Sequence, residues 1–111
     1  MARRLVLALV LSALAVAPAA GAAPSLPRGK YPCYGVSGYL NFDIVVTGPG
    51  AYATSGRSTP ARRGAYALRG SRIVFSSGPL KGFNARLFEG AKIGMNKDGS
   101  SFYSTNCTLT P

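Results

Sequence analysis

Between Gly64 and Leu80 the chain reads Gly-Ala-Tyr-Ala-Leu-Arg-Gly-Ser-Arg-Ile-Val-Phe-Ser-Ser-Gly-Pro-Leu, and no other stretch restricts the fold as tightly. Gly70-Ser71 suits the two-residue loop of a primed turn. That loop sets Arg69 opposite Arg72, Leu68 opposite Ile73, Ala67 opposite Val74 and Tyr66 opposite Phe75. Side chains alternate faces along a strand. Tyr66, Leu68, Ile73 and Phe75 therefore share one broad apolar face, and Ala67, Val74 and the two arginines share the other. Cross-strand apolar pairs contribute about 0.2–1 kcal/mol each, so the stretch predicts a β-hairpin.

The N-terminus has another character. Met1-Ala-Arg-Arg4 is a short positive start, Leu5 to Val16 is apolar except for Ser12, Pro18 breaks the run, and small residues follow to Ala23. This order predicts a signal helix over residues 1–22, cleaved after Ala20-Gly21-Ala22. The apolar run is about a dozen residues, short of the roughly 20 that a spanning helix needs. No cysteine directly follows the small residues to carry a lipid. The expected location is secreted or periplasmic, in a bacterial setting, with no membrane span left in the mature chain. Residues 23–32 hold Pro24, Pro27, Gly29 and Pro32 and are expected to form a flexible leader. Residues 33–111 are the expected folded domain.

A mature chain of roughly 88 residues supports one modest core and gains from a staple. Cys33 and Cys107 are the two cysteines. In an oxidising compartment they are expected to form a disulfide. By the loop-entropy model, a bridge enclosing about 70 residues stabilises by roughly 4 kcal/mol. The formal charge is +10, and falls to +8 when Arg3 and Arg4 leave with the signal. Such a balance favours solubility and attraction to anionic surfaces.

Taken in order, Tyr39 to Thr47 alternates, with Leu40, Phe42, Ile44 and Val46 on one face, and Thr47-Gly-Pro-Gly50 ends it with a turn. Gly50-Ala-Tyr-Ala recurs as Gly64-Ala-Tyr-Ala, which predicts successive short strands with Tyr52 and Tyr66 facing the same way. Ser55 to Arg63 reads as an exposed basic loop. After the hairpin and a turn over 77–82, strands are predicted over 83–89, 91–95 and 102–109, parted by Glu89-Gly90 and Asn96-Lys-Asp-Gly-Ser100. Strands numbering about seven, with turns every 8–15 residues, predict an all-β antiparallel meander, either a closed or partly open barrel or a sandwich. A bridge from first strand to last suits a barrel. Leu40, Phe42, Ile44, Tyr52, Tyr66, Leu68, Ile73, Phe75, Leu87 and Ile93 are expected to fill its interior and leave no large cavity.

The run Gly64, Tyr66, Gly70, Ile73, Phe75, Ser77, Gly78, Pro79 and Leu80 resembles a motif of small secreted bacterial proteins of unassigned function, which look like short relatives of lipocalin- and avidin-type meander barrels. The resemblance covers Leu40 to Met95 and implies a barrel without a catalytic residue. The chain lacks the tryptophan that lipocalins usually carry after the first glycine and is short for eight full strands, so no ligand pocket is carried over.

Residue types restrict the chemistry further. Without histidine there is no imidazole base and no Ser-His or Cys-His couple. Asp43, Glu89 and Asp98 are the only carboxylates, and their spacing suggests no convergent pair. No metal, cofactor or enzyme activity is expected, and Asn106-Cys-Thr108 is discounted as a glycan acceptor because its cysteine is committed. Arg57, Arg62, Arg63, Arg69 and Arg72 form the one cluster that suggests a ligand, since arginine binds carboxylate and phosphate through paired hydrogen bonds. They are read as an anion-binding patch for an anionic cell-envelope polymer or an acidic protein, with no specific nucleic acid. Tyr31, Tyr34, Tyr39 and Tyr103 are expected at the surface. The leading expectation is a monomeric, non-enzymatic binding or structural module. The alternatives are a barrel inhibitor of a secreted enzyme, inserting its leader, and a cationic toxin.

Overall fold

The computed structural model describes residues 24–36, 38–56 and 60–111, with Leu40 described by its backbone alone. The expected signal helix and Arg57 lie outside the described residues. Eight strands follow one another: β1 (Gly29–Gly35), β2 (Leu40–Gly48), β3 (Ala51–Ser55), β4 (Arg62–Arg69), β5 (Arg72–Phe75), β6 (Asn84–Phe88), β7 (Lys92–Asn96) and β8 (Thr105–Thr108). Each pairs antiparallel with the next, and β8 returns to β1, closing the barrel. The meander read from the turns is therefore closed, with eight strands rather than about seven. Its last strand is shorter than the 102–109 expected.

The central hairpin has the predicted register, Tyr66–Phe75 to Arg69–Arg72. Gly70 takes φ +61° while Ser71 stays negative, the combination of a type II′ turn. The added strand is β1, and it corrects the flexible leader. Gly29 to Pro32 pairs with Val46 to Asp43 of β2, and Tyr31 is wholly buried rather than at the surface. Three prolines in nine residues argued against a strand. Pro32 is accommodated because the β8 register pairs reach only Cys33–Gly35; beyond them the chain returns through Thr110, whose amide donates to the Lys30 carbonyl, so Pro32 sits where the ladder is interrupted and proline is tolerated.

Cys33 and Cys107 face each other across this β1–β8 seam and are bonded. The interior holds Tyr31, Ile44, Val46, Tyr52, Tyr66, Ile73, Phe75, Ala85, Ile93 and Met95, with Phe42, Leu68 and Leu87 partly buried against them. Burial of a side chain of this size contributes about 1.5–3 kcal/mol.

The repeated Gly-Ala-Tyr-Ala explains how both ends are shut. Each tyrosine holds a proline-flanked leucine by its backbone. Tyr66 accepts a hydrogen bond from the Leu26 amide at 2.9 Å, and Tyr52 accepts one from the Leu80 amide at 3.0 Å. Tyr52 also donates to the Ser77 carbonyl at 2.8 Å, and Tyr31 donates to the Pro27 carbonyl at 2.6 Å. Leu26 precedes β1 and Leu80 lies between β5 and β6, so in an up-and-down barrel they sit at opposite ends. Both are buried.

Candidate functional site

With both ends plugged, the outer face carries what chemistry there is. Arg69 on β4, Arg72 on β5 and Arg86 on β6 occupy one cross-strand row, since Arg69 pairs with Arg72 and Arg72 with Arg86. All three are exposed. Neighbouring strands lie about 4.8 Å apart, so three guanidinium groups arise within roughly 10 Å. The tight Gly70-Ser71 turn fixes the first pair, and the outward phase of β6 fixes the third. Arg86 Nη1 donates to Ser71 Oγ at 2.8 Å, which holds its stem along the hairpin turn.

Like charges placed directly opposite are unfavourable, and no carboxylate compensates here. Among the described residues the ion pair is Lys30–Asp43, at 3.9 Å on another part of the wall. Glu89 lies exposed in the β6–β7 turn. Asp98 belongs to the β7–β8 connection, where hydrogen bonds from the Ser100 backbone and then its side chain hold the carboxyl below its ordinary value.

The five arginines grouped by sequence do not form one patch. Arg62 and Arg63 begin β4 and Arg69 ends it. Six or seven residues of strand part them, about 20 Å. Arg62 lies nearer the barrel mouth, where its charge partly offsets the burial that raises the Tyr52 hydroxyl pKa. Arg57 lies outside the described residues. Arg86 was missed by the sequence reading. Its outward phase was legible from the alternation of 83–89, but its place beside Arg72 depends on a β5–β6 register hidden by the eight-residue connection.

The barrel interior is occupied by packed, buried side chains. A surface cleft of about 490 Å³ opens at the mouth, lined by residues that include Asn41, Phe83, Asn96, Lys97 and Asp98. The Asn96 side chain there is already engaged by Asn84, Gly99, Ser100 and Phe102. Described residues offer no group of three metal-ligating side chains. Compared with protein-family models, with curated proteins and with solved structures, the chain finds no match.

Proposed function

We propose that this chain is a non-enzymatic binding module, exported and monomeric, whose outer wall takes polyanions of the cell exterior. One observation carries the reading: Arg69, Arg72 and Arg86 stand side by side on three adjacent strands without a carboxylate partner. A fixed sheet holding guanidinium forks at regular spacing is preorganised for several anionic groups on one chain. Such binding is electrostatic and falls with added salt. The inhibitor alternative needs a free N-terminal segment to insert, and burial of Leu26 and Tyr31 disfavours it.

The test is retention on immobilised heparin. Replacing Arg69, Arg72 and Arg86 with serine is expected to lower the eluting salt concentration well below that of a charge-matched control with Arg28, Lys81 and Lys97 replaced. Equal elution of the two variants would reduce the row to general basicity and overturn the reading.

A further inference from the structure

The arginine row continues around the barrel into a different surface. Arg86 pairs with Gly94 of β7, Gly94 with Asn106 of β8, and Asn106 with Tyr34 of β1. Gly94 has no side chain because two aromatic rings lie on it. A Cβ there would stand 2.9 Å from Tyr103 Cγ and 3.0 Å from Phe88 Cε2. The two rings meet edge to face, with centroids 5.5 Å apart and planes at 74°. Phe88 shares the outer face of β6 with Arg86, two residues on, and remains 43 % exposed. Lys92 stands opposite Phe88 on β7. A cationic row thus ends against an exposed aromatic ring that is held in place from beneath.

Resting on the proposed polyanion reading, we infer that the ligand is an acidic glycan, a chain of uronate-bearing sugar rings laid across the strands. Its carboxylates pair with Arg69, Arg72 and Arg86, and a sugar ring packs its C–H face on Phe88. Three features of the surface favour this class. The cations recur at the strand spacing, about 4.8 Å, close to one sugar ring and its linkage. Arginine's planar fork matches a carboxylate. Grooves for single-stranded nucleic acid combine a cationic track with stacking rings for successive bases, whereas here Phe88 stands at the end of the arginine row and the next exposed ring, Tyr34, comes two strands beyond Gly94.

The experiment measures binding of an oligogalacturonate and of an oligothymidylate of similar charge by calorimetry at low salt. Phe88→Leu keeps an apolar cover over Gly94 but removes the planar face, and Phe88→Tyr keeps that face. The expected result is oligogalacturonate binding that weakens about tenfold in Phe88→Leu, by analogy with loss of a stacking ring, and is retained in Phe88→Tyr. Heparin retention of Phe88→Leu, with all three arginines intact, is expected to match the parent. If serine at Arg72 and Arg86 abolishes binding while Phe88→Leu leaves it unchanged, the sugar-stacking inference fails and the arginine reading stands. If none of these substitutions weakens binding, both fail. Tighter binding of the oligothymidylate, lost in Phe88→Leu, would overturn the glycan class in favour of nucleic acid.

Discussion

At Gly64 a single hydrogen atom is all the space allows. A Cβ there would collide with the Ser77 carbonyl oxygen and stand 2.6 Å from the Tyr52 hydroxyl. Tyr52 crosses the glycine to reach Ser77 and Leu80, so Gly64→Ala acts on the plug as well as on packing. Overpacking of this kind costs about 1–3 kcal/mol, and urea denaturation is expected to register a loss in that range. Gly48→Ala is the control: its site is open and its φ is not in the left-handed region, so a change within about 0.5 kcal/mol is expected. Tyr31 supplies a pH dependence. Burial, with the Tyr66 phenol nearby, pushes its pKa up to about 12 from an ordinary 10.0. The folded state favours the neutral phenol, so this stability is complete below pH 10 and is lost as pH rises toward 12. Tyr52 is raised for the same first reason, desolvation. Thermal melts across that interval are expected to show a falling Tm, with a shallower fall in Tyr31→Phe. An unchanged slope in that variant would assign the alkaline loss to other groups.

Among elements, the central hairpin was legible to the residue, because a two-residue turn leaves one register and Tyr66, Leu68, Ile73 and Phe75 fill one face in that register alone. β1 was not legible. Pro24, Pro27, Gly29 and Pro32 carry the composition of a linker, and what orders the segment is tertiary: the Leu26 amide finds its acceptor on Tyr66, forty residues away, and the Leu26 and Tyr31 side chains pack into the barrel core. The Gly-Ala-Tyr-Ala repeat was visible and its inward tyrosines were foreseen, but the leucines they hold belong to segments that carry no strand pattern. Tyr66→Phe and Tyr52→Phe separate the two plugs. Each leaves one buried leucine amide without its acceptor, at a cost of about 1–3 kcal/mol. Hydrogen exchange is expected to rise at Leu26 in the first variant and at Leu80 in the second. Faster exchange at both sites in either variant would mean the ends are not held independently.

The whole molecule is a small sheet closed by a short seam, in which β1 and β8 share three register pairs and the Cys33–Cys107 bond spans one of them. The bond joins residues 74 apart, a separation for which the loop-entropy model gives roughly 4 kcal/mol. A domain of this size has total stability near 5–15 kcal/mol. Reduction is therefore expected to lower the denaturation midpoint sharply, and a midpoint unmoved by reductant would show that the seam holds without its bridge. The proposed reading places recognition on the wall, because the closed barrel is filled by its own side chains. The pairing of Cys33 with Cys107 was legible from the count of two cysteines and the expected export. The split of the arginines was not, because five basic residues close in sequence say nothing of the strand that carries Arg63 and Arg69 about 20 Å apart. The wall reading is tested most directly by amide chemical shifts during titration with a heparin oligosaccharide. Shifts concentrated at Arg69–Arg72 and Arg86 are expected, with Arg62, Arg63 and the Lys97 end little changed; the reverse pattern, or shifts spread evenly over every basic residue, would contradict it.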